Sequence, residues 1–158
     1  MSTIVVFGLV FALGCICGLR SMTAPALVCW AARVGWLNLS GSRLAFLGLL
    51  PTVVVFTLLA MGELVADKLP NIPGRNTPAS LAVRFLFGGM CGVALCLTAH
   101  ASGIAGFLIG GIGGVAGGLA GYSVRRNLKR HFKLPDFPVA LAEDVVAIGC
   151  GLLIVSRF

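Results

Sequence analysis

The feature that most constrains this chain is a series of long apolar segments with few charges inside them. These segments cover about residues 4–19, 44–69, 79–99, 103–124 and 138–156. Each approaches the roughly 20 residues that a helix needs to cross a bilayer. Only 11% of the residues are charged, whereas soluble domains carry about 25%. The sequence therefore predicts an all-α, polytopic transmembrane bundle of about five spans, with residues 1–158 forming a single transmembrane domain.

The first apolar segment is followed by a predicted break. Residues 18–25 read Gly-Leu-Arg-Ser-Met-Thr-Ala-Pro, and a second apolar piece continues from Ala26. The two pieces together are too long for one spanning helix at about 1.5 Å per residue, and Pro25 favours an interruption. We expect residues 20–36 to form either a re-entrant or an interfacial segment. Backbone freed inside a membrane must be buried in protein or line a wet cavity, so residues 20–25 are a candidate site.

The fourth segment is rich in glycine, with four glycines at four-residue spacing: Gly106, Gly110, Gly114 and Gly118. In a bilayer, such a stripe allows close approach between helices. We expect it to be a packing face within or between subunits, with a ligand or pore lining as the alternative. Because five short spans enclose little volume, we also expect a homo-oligomer packed through this face.

Carboxylates near the end of the second segment form the most informative polar feature. Glu63 and Asp67 are four residues apart and share one helical face, and Lys68 and Pro70 follow them. Carboxylates inside an apolar segment are costly unless they meet cations, water or a ligand. This stretch therefore predicts either a structural ion pair or a polar site.

The cations set the predicted orientation. With the N-terminus inside, eight cations fall on the cytoplasmic side and three outside, so we expect an inner-membrane protein with a cytoplasmic N-terminus and an external C-terminus. Several ionisable residues then lie roughly 5–10 Å inside the cytoplasmic face. They are Glu63, Asp67, Arg84, Arg125, Arg126, Glu143 and Asp144. We expect Glu63 or Glu143 to pair with Arg84 or Arg125.

The remaining cations are expected to contact anions or lipid headgroups. Arg20 falls near the outer end of the first span, unless the break turns it inward to contact an anion or a headgroup. The residues expected to fix topology or to contact lipid headgroups are Lys68, Arg125, Arg126, Lys129 and Arg130. The net charge of +7 is thus attributed to topology and membrane lipids, and we expect no nucleic-acid partner.

Enzymatic chemistry has little support in the sequence. His100 and His131 have no metal-ligand partner at helical spacing, and the six cysteines show no metal or redox spacing. The glycine-rich stretch lacks the ending of a phosphate-binding loop. We therefore expect no catalytic residue, no cofactor and no metal.

Several blocks of the sequence together resemble a bacterial membrane-protein family, the domain of unknown function number 4126. The blocks are Gly18-Leu19-Arg20-Ser21 with Pro25, Glu63 with Ala66-Asp67-Lys68-Leu69-Pro70, then Arg84, and finally Glu143-Asp144. The resemblance spans most of the chain. It implies a multi-span inner-membrane protein and marks these polar positions as characteristic, but it implies no activity.

The leading functional hypothesis is a small transporter or channel for an ion or a small polar solute, in which a carboxylate takes up a proton as the cavity changes access. The first alternative is a lipid-binding or lipid-handling protein that grips an anionic headgroup through arginines. The second alternative is a structural or assembly subunit without transport, which docks through the basic loop at residues 125–133.

Overall fold

A computed structural model describes residues 1–66, 77–132 and 136–158, and it describes the side chains of these except 128–132 and 136–139. Within these ranges the secondary structure is helical, which confirms the all-α part of the predicted fold class. The six α-helices are α1 (Thr3–Leu19), α2 (Thr23–Val34), α3 (Leu50–Ala66), α4 (Pro78–Thr98), α5 (Gly103–Phe132) and α6 (Asp136–Val155). A short 3₁₀ helix, Ala45–Gly48, precedes α3.

The break after the first segment is present and produces a separate helix. α1 ends at Leu19, Arg20 has extended backbone, and α2 begins at Thr23. With 12 residues, α2 is about 18 Å long, which is too short to cross a bilayer. Its buried face includes Ala24, Val28 and Cys29. The predicted second span is also shorter than expected, because residues 45–48 form the 3₁₀ helix and the α-helix starts only at Leu50.

The helices alternate in direction. Cβ positions at Gly14 and Gly18 of α1 meet Gly110 and Gly114 of α5, so α1 and α5 are parallel. α3 runs back along α2, because Trp30 donates to Thr57 while Met22 donates to Glu63. The start of α6 lies beside the end of α1, where Arg20 pairs with Asp144.

This alternation corrects the expected topology. The start of α1 and the end of α6 lie at the same end of the bundle, so an arrangement with the N-terminus inside and the C-terminus outside does not fit. The physical reason is α2, which runs back along the bundle as a helix of its own and adds one reversal of direction.

The glycine stripe of α5 is buried between α1 and α4. A Cβ atom at Gly110 would lie 3.2 Å from Gly92 Cα on α4, and one at Gly113 would lie 3.1 Å from Gly14 Cα on α1. Backbone therefore packs on backbone, as expected for small residues between helices. This face is occupied within the chain, which corrects the expectation that a homo-oligomer packs through Gly106–Gly118. Oligomerisation through another face stays a prediction.

Two stretches are long and apolar enough to cross a membrane, Pro78–Thr98 and Gly103–Asn127, and two shorter apolar helices are α1 and α3. Large apolar side chains are also exposed on the outer faces of α3 and α6, including Leu58, Val65, Val145 and Leu153. A polar solvent disfavours such continuous apolar faces. Both observations support a membrane location.

Candidate functional site

Arg20 and Asp144 form a buried ion pair at one end of the bundle. Arg20 follows the last residue of α1, Asp144 lies in the third turn of α6, and the Arg20 Nη2 atom contacts the Asp144 Oδ1 atom. The Arg20 residue is 0% exposed and Asp144 is 6% exposed. Because burial of an isolated charge is strongly unfavourable, each of these residues requires the other.

Glu63 binds the backbone of the turn between α1 and α2. Its carboxylate accepts hydrogen bonds from the Ser21 N–H at 2.8 Å and from the Met22 N–H at 2.9 Å. The first amides of a helix have no intrahelical partner and carry a partial positive charge. Glu63 of α3 therefore binds the two amides that directly precede α2, whose N-cap residue Met22 makes no side-chain capping hydrogen bond.

Arg84 lies in the second turn of α4 and is 4% exposed. A Cβ atom at Gly118 of α5 would lie 2.6 Å from Arg84 Nη1, so the guanidinium packs against α5 at this glycine. The charge of Arg84 interacts with the carboxylates of Glu63 and Glu143. Its Nε atom is nevertheless buried without a hydrogen-bond partner among the described residues.

Arg125 and Glu143 connect α5 to α6 at the same end. Arg125 Nη1 lies 3.8 Å from Glu143 Oε2, and the two side chains are 18% and 11% exposed. The Glu143 carboxylate also approaches α5 at Gly121, where a Cβ atom would lie 3.5 Å from Oε1. This pair is therefore longer and more exposed than the Arg20–Asp144 pair.

Together these side chains form what we call the charge cluster. Its members come from α3, α4, α5, α6 and the turn after α1: Arg20, Glu63, Arg84, Arg125, Glu143 and Asp144. The cluster lies at the ends of α1, α3 and α5 and at the starts of α4 and α6. In the described part of the chain, no group of three or more His, Cys, Asp or Glu residues has the arrangement of a metal site.

The cluster agrees with the expected pairs in one case and departs from them in another. Arg125 pairs with Glu143 as expected. Glu63 binds backbone amides where an arginine was expected, because the break in the first helix brings free amides next to it. Arg126 is exposed and lies outside the cluster.

Asp67 and Lys68 lie outside the described residues, and so do the side chains of Lys129 and Arg130. The predicted packing glycines are all buried, and their neighbours are on α1 and α4: Gly106, Gly110, Gly114 and Gly118.

A family model for a domain of unknown function, DUF4126, matches residues 7–156. The chain belongs to the DUF4126 family. No curated protein and no solved structure matches the chain. All members of the charge cluster fall within the matched residues, so the cluster belongs to the DUF4126 domain itself.

Sequence reasoning missed two features of the cluster. The first is the pairing of Arg20 with Asp144, which requires the chain to return after α1. The second is the role of the Ser21 and Met22 amides, which carry no sequence signature. The break at residues 20–25 was the one signal available, because interrupted backbone must find partners.

The arrangement has two parts with different chemistry. Arg20 and Asp144 neutralise each other and fix α1 against α6. Glu63 and Arg84 differ, since Glu63 is partly exposed and held by amides alone, while Arg84 interacts with it without a direct ion pair in the described part of the chain. The second part can exchange a proton or a ligand without breaking the first.

Proposed function

We propose that this DUF4126 protein is a small, multi-pass inner-membrane transporter or channel for an ion or a small polar solute. The observation that carries the proposal is the buried Arg84 Nε atom, which has no hydrogen-bond partner among the described residues and lies beside a broken helix whose turn is bound by Glu63. Ionisable residues inside membrane proteins usually mark solute or proton pathways. Broken helices with free half-helix ends form many transporter sites.

A purely structural role explains only part of the cluster. It accounts for Arg20 and Asp144, which are buried and paired. It does not account for Arg84, because the buried Nε atom of this residue has no hydrogen-bond partner among the described residues, and such a buried donor is unfavourable. Arg84 therefore favours a site over a set of structural ion pairs.

The lipid-headgroup alternative has less support than transport. It requires arginines that a headgroup can reach, but Arg20 and Arg84 are 0% and 4% exposed. Arg125 is partly exposed and Arg126 is exposed, so of the arginines Arg20, Arg84, Arg125 and Arg126 a headgroup can reach only the last two.

The distribution of cations supports an orientation opposite to the sequence-based one. The end with the charge cluster also holds the last turns of α5, with Arg125, Arg126, Lys129 and Arg130. The other end holds Arg33, Arg43 and Arg157. By the positive-inside rule, we propose that the cluster end faces the cytoplasm and that the start of α1 and the end of α6 face outward.

Labelling of introduced cysteines tests this orientation. Ser40 and Asn127 are exposed positions at opposite ends of the bundle, and Cys150 is replaced by alanine to remove the exposed native thiol. A membrane-impermeant thiol reagent added to intact cells should label the Ser40→Cys variant and leave Asn127→Cys unlabelled. The reverse labelling pattern would refute this orientation and support the cytoplasmic N-terminus expected from the sequence.

Flux into proteoliposomes tests transport. The comparison is between wild type, Glu63→Gln and Glu143→Gln, with the exposed Arg33→Gln at the far end as a matched control. We expect flux of at least one ion through wild type and the control. We expect this flux to be lost in the Glu63→Gln variant, whose folding is checked by size-exclusion chromatography. Absence of flux for protons, cations and anions alike would refute the proposal and leave the cluster as a structural element.

A further inference from the structure

We propose that the solute is a small inorganic anion that displaces the Glu63 carboxylate from the start of α2 and is held there by the Ser21 and Met22 amides and by Arg84. This inference rests on the proposed function, since it names the class of solute bound at the same cluster.

The first observation is that the start of α2 already binds an anionic group. The Ser21 and Met22 amides donate to the two oxygens of one carboxylate at 2.8 and 2.9 Å. The start of a helix attracts anions because its free amides point outward and the helix dipole is positive there. Glu63 belongs to another helix, so it can leave this position without unfolding α2.

The second observation is independent of the helix and concerns Arg84. This residue is 4% exposed, and its Nε atom has no hydrogen-bond partner among the described residues. Nearly all buried polar groups in proteins have a partner, and an exception often marks the place of an ion or water. Cys17 Sγ lies 3.4 Å from the Ser21 carbonyl oxygen and 3.9 Å from the Arg84 carbonyl oxygen, so Arg84 lies beside the turn that Glu63 binds.

The surroundings favour a small anion. Arg84 crosses α5 at Gly118, where a Cβ atom would already lie 2.6 Å from Nη1. A halide or nitrate ion replaces one carboxylate group with little change in volume, while a larger organic anion would need the helices to separate. Arg20 is not available as a ligand, because Asp144 binds it.

Charge balance couples the anion to a proton. Ionised Glu63 balances the charge of Arg84, so an incoming anion would place two negative charges side by side. When Glu63 takes a proton from water, its carboxyl becomes neutral and the anion takes over the negative charge. One proton and one monovalent anion therefore bind together, and the net charge of the cluster does not change.

We assign the pH dependence of anion binding to Glu63 and compare this residue with the other titratable and charged groups around it. Charged or titratable groups on the elements around it are Cys17 on α1, Arg20 in the turn, Arg84 on α4, Arg125 on α5, and Glu143 and Asp144 on α6. Asp144 and Glu143 already pair with Arg20 and Arg125. Glu63 instead accepts hydrogen bonds from two backbone amides.

The test measures binding of chloride and nitrate to the purified full-length protein in detergent. Thermal stabilisation is recorded against the concentration of chloride or nitrate. Gluconate makes up the remaining anion, so that the ionic strength stays constant. For wild type we expect the apparent affinity to rise by up to about tenfold per unit fall in pH, the limit for uptake of one proton. For Glu63→Gln we expect tighter binding of the anion without pH dependence. For Arg84→Gln we expect the affinity for the anion to fall at least tenfold, and for Arg33→Gln we expect the affinity of wild type.

Each result decides the inference. No binding by wild type at any pH of the series would overturn it. Unchanged binding by Arg84→Gln would also overturn it. If Arg84→Gln does not fold, the comparison of wild type with Glu63→Gln decides, and weaker binding by Glu63→Gln would contradict displacement.

The binding assay also separates this inference from the transport proposal. Binding with the expected pH dependence but without flux into liposomes would support the anion site and refute transport. Flux of a cation by a protein that binds no chloride or nitrate would support transport and refute the anion site.

Discussion

Arg20 and Asp144 form a buried ion pair that joins the break after α1 to the third turn of α6. The two residues are near opposite ends of the chain, and neither side chain is more than 9% exposed. The pair closes the bundle, because it fixes the first and last helices to each other. Arg20 also directly precedes Ser21 and Met22, whose amides donate to Glu63 of α3.

Removal of one partner of this pair should be strongly destabilising. The Asp144→Asn change leaves the Arg20 guanidinium buried with its main counter-charge removed, and such changes cost about 3–5 kcal/mol. We expect a large fall in the thermal unfolding temperature in detergent. The double variant Arg20→Met with Asp144→Leu should lose less stability than Asp144→Asn alone, because no buried charge remains. Equal losses would show that the pair is not coupled.

The Glu63 cap should contribute moderately to stability. The Glu63→Ala change leaves the Ser21 and Met22 amides without their acceptor, and loss of a helix cap costs about 0.5–2 kcal/mol. Glu63→Gln keeps an acceptor oxygen, so its loss should be smaller. Thermal unfolding of both variants measures the difference. A Glu63→Ala variant as stable as wild type would mean that these hydrogen bonds contribute nothing to the fold.

The contact between α5 and α4 should not tolerate an added methyl group. A Cβ atom at Gly114 would lie 3.0 Å from the backbone carbonyl carbon of Arg84, and overpacking of this kind costs about 1–3 kcal/mol. Gly149 on α6 is the matched control, since nothing lies within 4 Å of its Cβ position. We expect Gly114→Ala to lower the unfolding temperature. Gly149→Ala should keep it or raise it, because alanine favours helix by about 0.5–1 kcal/mol over glycine.

The outer pair of the cluster should contribute little to stability. Arg125 Nη1 and Glu143 Oε2 are 3.8 Å apart and their side chains are more exposed than those of Arg20 and Asp144, so the loss of this pair should cost less than the loss of the buried pair. We expect Arg125→Gln to unfold within a few degrees of wild type and well above Asp144→Asn. A loss as large as that of Asp144→Asn would mean that the Arg125 pair is as important as the buried one.

Part of the site could be predicted from the sequence. Glu63, Arg84, Arg125, Glu143 and Asp144 were expected together because helical rise and the ends of apolar segments fix their depth. Depth is a one-dimensional property, and the order of apolar and polar residues determines it. The rotation of each helix is not fixed in this way, so the partner of each side chain could not be predicted.

The sequence by itself determined that this chain forms apolar helices, where most of them begin and end, and that α5 presents a glycine face for close packing. These follow from local composition, proline positions and side-chain size. The tertiary structure alone decided that α2 runs back as a separate helix, that α1 and α6 therefore begin and end at the same side, and that Arg20 meets Asp144. Such contacts depend on free energies summed over distant segments, chiefly the need of each buried charge and each free amide for a partner.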